Sequence, residues 1–254
     1  FMCHLASSYL LQGLNVLYIT LEMAEERIAE RIDANLLDVT MEDLHDMPQQ
    51  LYEGKITKLR EKTQGQLVIK EYPTASAHSG HFKSLMNELA LKKSFRPDVI
   101  FIDYLNICAS SRFKGGNISS YFYVKAIAEE LRGLAVEFNV PIFSATQTTR
   151  TGYVSTDIGL EDTSESFGLP ATADFMFALI SNEELEALGQ MKVKQLKNRY
   201  NDPSINRAFI IGVDRAKMRL YDVQQKAGEI VDANQVDEKE DAYNKFSDFK
   251  LWNT

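Results

Sequence analysis

Asp98-Val99-Ile100-Phe101-Ile102-Asp103-Tyr104 sets four consecutive apolar residues directly before a carboxylate. A run apolar on both faces, β-branched and too short for a helix, suits a central strand of a parallel sheet covered on both sides. Its flanks alternate in the same idiom. On the amino-terminal side, Met2, Leu5, Ala6, Tyr9 and Leu10 recur at helical spacing and Gly13 ends the segment as a cap. Val16-Leu17-Tyr18-Ile19-Thr20 reads as a strand, residues 23–37 as a helix, 66–71 as a strand and 81–93 as a helix. On the other side, 121–138 is helical and 140–145 strand-like. Further strands are expected at 173–180, 191–196, 208–213 and 218–223, the last two as an antiparallel hairpin. Strands and helices of these lengths in alternation predict an α/β fold with a mostly parallel twisted sheet flanked by helices.

Composition agrees. The chain has 254 residues, 44% hydrophobic and 25% charged, with 13 Gly and 6 Pro, which removes disordered, collagen-like and low-complexity classes. No apolar run approaches the roughly 18 residues needed to span a bilayer, and the first residues lack a basic flank, so a cytoplasmic location is expected and no membrane partner. Cys3 and Cys108 are too few for a disulfide framework or a four-cysteine zinc site, and His4, His45, His78 and His81 form no ligand set. Lys+Arg number 28 against 36 Asp+Glu, a net charge of −8. The average hides an asymmetry: residues 190–219 hold eight basic and two acidic side chains, while 221–254 hold eight acidic and four basic. Periodicity fades past about Gly228, so residues 1–227 read as one domain and 228–254 as an acidic, flexible tail.

In open parallel sheets ligands sit beyond the carboxyl ends of the strands. Three such ends carry polar chemistry. Ile19-Thr20-Leu21-Glu22 ends in a carboxylate, Phe101-Ile102-Asp103 has the form of a Walker B segment whose acid orders magnesium near phosphates, and Ser144-Ala145-Thr146-Gln147 ends in an amide able to donate and accept. Lys197 and Arg199 stand two apart, which on a strand puts both on one side. Two polar loops, 106–120 and 148–163, combine glycines with Arg112, Lys114 and Arg150. Any one of these has a plain structural reading: a cap, a solvated edge or an ordinary loop.

The ordered series is more specific. Ile19-Thr20-Leu21-Glu22-Met23, Phe101-Ile102-Asp103-Tyr104-Leu105, Ser144-Ala145-Thr146-Gln147, Glu165-Ser166 with Ala173-Asp174, and Lys197-Asn198-Arg199 resemble the motif series of the DnaB-type replicative helicases, most closely their T-even-like phage branch. Those are hexameric ring motors with RecA-like P-loop ATPase domains. The resemblance runs from about residue 2 to about residue 222. It implies ATP and Mg2+ as cofactors, with Asp103 holding the metal through water and Thr20 beside it in the nucleotide site. It implies Glu22 as the base that polarises the attacking water, Gln147 as γ-phosphate sensor, and Arg199 as an arginine finger reaching the neighbouring subunit, aided by Lys197. Arg112, Lys114 and Arg150 would touch single-stranded DNA in the ring channel. Partners implied are single-stranded DNA, a homo-hexamer and, through the acidic tail, primase and a helicase loader. The activity implied is 5′ to 3′ translocation with duplex unwinding at the replication fork.

The sequence departs from the family in one respect: it holds no GxxxxGK[ST] segment, whose place would be just before the first helix. The expectation is a chain truncated just after the P-loop and, by itself, unable to turn over ATP at motor rates. Two alternatives stay open, a RecA-like recombinase-type ATPase and a non-catalytic assembly module.

Overall fold

The computed structural model describes residues 1–113, 118–148, 159–160, 168–202 and 205–223, excepting the Lys62 side chain. Helix α1 (Met2–Leu11) leads into strand β1 (Val16–Thr20), followed by α2 (Glu25–Leu37), α3 (Met41–His45) and α4 (Gln49–Lys62). Then come β2 (Leu67–Glu71), α5 (Ser79–Lys93), β3 (Val99–Asp103), a 3-10 turn at Leu105–Ile107, α6 (Ser120–Phe138) and β4 (Ile142–Ser144). The remainder is α7 (Gly168–Thr172), β5 (Phe175–Ile180), α8 (Glu183–Ala187), β6 (Gln190–Asn198), β7 (Ala208–Asp214) and β8 (Arg219–Asp222).

Strands β1 to β4 form a parallel sheet in the order β2-β1-β3-β4. The two central strands are the two most apolar, and all five residues of β1 are buried. Because side chains alternate, each central strand feeds two cores. Leu17, Ile19, Ile100 and Ile102 pack under Phe82 and Met86 of α5 and Ile127 and Leu131 of α6. Val16, Tyr18, Val99 and Phe101 face the other way, against Ala6 and Leu10 of α1 and Ile28 and Ile32 of α2. The expected parallel α/β core is therefore present.

The later strands form a second sheet, antiparallel, in the order β5-β6-β7-β8. The expected hairpin is its β7–β8 edge. Parallel pairing needs a crossover of about a dozen residues or more, and the connections at 181–189, 199–207 and 215–218 are too short for that. The turn after β7 docks back on the first helices. Asn35 on α2 donates to the carbonyl of Met218 at 2.6 Å, His4 on α1 accepts from the Leu220 amide at 3.4 Å, and Asp38 pairs with Lys217 at 3.1 Å and Arg219 at 2.7 Å. Among the described residues no helix is long and apolar enough to cross a membrane.

Candidate functional site

The ends of β1 and β3 lie level, with Thr20 opposite Asp103, and Ile102 is registered with Ser144 on β4. Backbone bonds carry the alignment past the strands: Leu21 N donates to Asp103 O at 2.8 Å, and Leu105 N to Ala145 O at 3.2 Å. The segments bearing Glu22, Asp103 and Gln147 thus leave one edge of the sheet together. Tyr104 ties them. Gln147 donates through Nε2 to the Tyr104 hydroxyl at 3.1 Å. The phenol of Tyr104 is raised above its ordinary value, by burial first and then by the carboxylates of Glu22 and Asp103. Glu22 and Gln147 are exposed, and Asp103 is half-buried.

Asp103 is held from below. The Tyr18 hydroxyl, from the middle of β1, donates to Asp103 Oδ2 at 3.0 Å. Burial, with Cys3 and Asp103 adding to it, pushes Tyr18 far above its ordinary value, so it stays a donor throughout. Oδ1 of Asp103 carries no hydrogen bond among the described residues. Thr20 is wholly buried, and its hydroxyl both donates to Met23 O at 2.8 Å and accepts from Met23 N at 3.0 Å. Thr20 therefore closes the turn that presents Glu22.

Lys197 and Arg199, near the end of β6, gather elsewhere. Lys197 donates to the carbonyls of Pro170 at 2.5 Å and Ala171 at 3.2 Å, at the end of α7. Partial burial, then the neighbouring Arg199 charge, pull its ammonium below its ordinary value. Arg199 donates to Ala171 O at 2.5 Å and to Asp174 Oδ1 at 3.2 Å, and that same oxygen meets Arg132 of α6 at 2.5 Å. No hydrogen bond or ion pair among the described residues joins Lys197 or Arg199 to Glu22, Asp103 or Gln147. Arg112 is exposed and paired with Glu129 at 2.5 Å, while Lys114 and Arg150 lie outside the described residues.

Sequence reasoning passed over Tyr18, Tyr104 and Arg132. Tyr18 reads as one more large residue of a buried strand, and only its hydroxyl at the level of the Asp103 carboxylate separates it from core. Tyr104 had a signal, its place directly after the acid.

Solved structures share this architecture. One, described as a DnaB-like replicative helicase and its interactions with primase, superposes with a TM-score of 0.70 at 16% identity over 88% of this chain and 54% of that one. Another, described as an ATPase domain, gives 0.69 at 16% identity over 87% of this chain and 80% of that one. At that identity the likeness defines the fold, the RecA-like core of DnaB ATPase domains. Residues 1–227 match the model of the DnaB-like helicase C terminal domain, and the chain belongs to that family. The DnaB-like replicative helicase of Enterobacteria phage T4 is 44% identical over 252 residues, 96% of this chain and 53% of that protein. A probable plasmid replicative DNA helicase of Chlamydia trachomatis serovar L2 is 34% identical over 138 residues, 52% of this chain and 28% of the relative. The chain thus spans about half the length of the phage relative.

Proposed function

We propose that this chain supplies the metal-holding, water-activating, sensing and finger residues of an ATP-driven replicative DNA helicase, working as a ring of six copies on single-stranded DNA and moving 5′ to 3′. One observation carries the reading: Tyr104 accepts from Gln147 while lying in the field of Glu22 and Asp103, at the carboxyl edge of a parallel sheet. Ligands of such sheets bind there.

The donor set suits magnesium. It is a hard cation that keeps several waters and takes one or two carboxylates beside substrate phosphates. Asp103 offers one carboxylate oxygen already fixed by Tyr18 and a second without a hydrogen bond among the described residues. Bound there, the metal would neutralise charge building on the phosphates. Glu22, exposed on its turn, takes the proton of the attacking water, and Gln147, held by the Tyr104 hydroxyl, senses the terminal phosphate and couples its loss to the segment after Gln147. Arg199, which among the described residues has no bond to this cluster, stabilises charge in the neighbouring copy's site, with Lys197 beside it. Arg112, Lys114 and Arg150 bind the DNA backbone. A DnaB-like helicase with a similar fold has been solved with attention to its interactions with primase. We extend that partner, and a helicase loader, to the acidic segment 228–254.

The test uses a full-length polypeptide carrying this sequence. Glu22→Gln should lower ATP turnover by about 10²–10⁴-fold while nucleotide affinity, read with a fluorescent analogue, holds. Turnover within threefold of the parent would remove Glu22 from its role. Closed rings in electron micrographs are expected; helical filaments on DNA would point instead to a recombinase.

A further inference from the structure

Helix α6 carries a carboxylate that the reaction proposed above leaves unused. Glu130 is half-buried, and its two oxygens accept from Ser79 Oγ at 2.9 Å, Ser110 Oγ at 2.6 Å, the Ser111 amide at 2.9 and 3.0 Å, and the Arg112 amide at 3.3 Å. Two further bonds brace the same segment: the Ser110 amide donates to the Tyr123 hydroxyl at 3.1 Å, and Ser110 Oγ accepts from the Arg112 amide at 3.2 Å. A carboxylate drawn out of water needs such partners, and charge-assisted bonds are the strong ones. The direction of its titration agrees: burial alone would raise Glu130, yet the bonds from Ser110, Ser111 and Ser79 hold it below the ordinary carboxylate value.

The neighbouring Glu129 does something different. Its Oε2 meets the exposed guanidinium of Arg112 at 2.5 Å. One carboxylate therefore clamps the Ser110 hydroxyl and the backbone amides of Ser111 and Arg112, and the next holds only the tip of the Arg112 side chain. Exposed ion pairs are weak and exchange readily, whereas the clamped backbone loses little further freedom on binding. We propose that Glu130 is a positioning residue for DNA binding: it fixes the chain at Ser110–Arg112 so that the Arg112 guanidinium passes from Glu129 to a phosphate of the single strand. This rests on the reading that the segment faces DNA.

The experiment measures affinity for a labelled oligothymidylate as a function of salt, in the full-length polypeptide carrying this sequence. Removing one cation from a single-strand phosphate lowers the slope of log K against log salt by about 0.7. Arg112→Ala should show one such decrement and bind several-fold more weakly. Glu130→Ala should do the same, Glu130→Gln should follow it with less disturbance to folding, and the double variant should bind no more weakly than Arg112→Ala alone. A parental slope in both Glu130 variants would overturn the proposal, as would additive weakening in the double variant or the drop of several decrements that marks a broken ring. A parental slope in Arg112→Ala would instead show that the segment does not meet phosphate, and the DNA-facing reading would fall with it.

Discussion

Arg199 and Asp174 are bound to each other within one chain, Nη1 to Oδ1 at 3.2 Å, and the backbone repeats the link where the Arg199 amide donates to the Asp174 carbonyl at 3.0 Å. The carboxylate does not depend on this partner. Arg132 holds the same oxygen at 2.5 Å, so Arg199 can leave for another anion without stranding an unpaired charge.

If Arg199 serves a neighbouring subunit, Arg199→Ala should lower ATP turnover of the assembled full-length polypeptide by about 10³-fold or more. Its thermal midpoint should hardly move, because exposed ion pairs add little to stability. Asp174→Asn should lower turnover by less than Arg199→Ala does. Steady-state ATPase beside calorimetry of both variants checks this. A turnover loss in Arg199→Ala matched by an equal collapse of the midpoint would make the residue merely structural.

Tyr18→Phe removes the donor beneath Asp103 and, with it, the long 4.0 Å contact in which the same hydroxyl accepts from Cys3 Sγ. The ring's stacking on Phe101, with centroids 5.7 Å apart, should survive. A bond to a charged group is worth roughly 1.5–3 kcal/mol when broken in a buried setting, and partial exposure of Asp103 brings the expected loss toward the lower figure. The Mg2+ concentration for half-maximal turnover should rise several-fold, with kcat at saturating metal reduced less. Magnesium titrations of turnover read both quantities, and an unchanged half-saturation would exclude Tyr18 from orienting the carboxylate.

His4 predicts a pH dependence. Its Nδ1 accepts from the Leu220 amide and lies 3.0 Å from Asn35 Nδ2, which is possible only while that nitrogen is unprotonated. Burial first, with cationic neighbours including Arg219, lowers the ring below its ordinary 6.5. The sign follows from linkage: protonation favours the unfolded chain, so the contribution is complete above about pH 6.5 and is lost as pH falls through the lower, folded value. Urea midpoints taken from pH 7.5 down to 5 should decline, and His4→Gln should flatten part of that decline. Parallel curves for parent and variant would rule out His4 as the source.

Much of this was legible in the residues because the informative signals are local. Val99-Ile100-Phe101-Ile102 and Val16-Leu17-Tyr18-Ile19 are apolar on both faces, which marks strands buried on both sides, and Glu22, Asp103 and Gln147 announce themselves by standing at strand ends. Helices α3 and α4 carried no such mark. Neither has a buried residue among those described, and α4 keeps Leu51 at its surface, so no apolar stripe betrays it. Several stops were also silent: α2, α5 and α6 end on Asp38, Ser94 and Asn139 in the left-handed conformation, without the glycine that usually signals it. The strands of the second sheet were readable one by one, but which strand pairs with which is information held between distant segments. For the same reason Glu129-Glu130 reads in sequence as an ordinary solvated helix face, and only the fold brings Ser79 and Ser110 to it.

The docking of the β7–β8 turn on the first two helices spans most of the polypeptide, with Asn35 bonded to a residue 183 positions later and His4 to one 216 later. Closing such distant contacts is slow and entropically costly. During synthesis α1 and α2 can pack on β1 and β3, but the bonds from Asn35, His4 and Asp38 to residues 217–220 must wait until β7 and β8 have cleared the ribosome tunnel. A nascent chain arrested with residues 217–220 still inside the tunnel should accordingly be cut by protease within α1 and α2 more readily than one in which those residues have emerged.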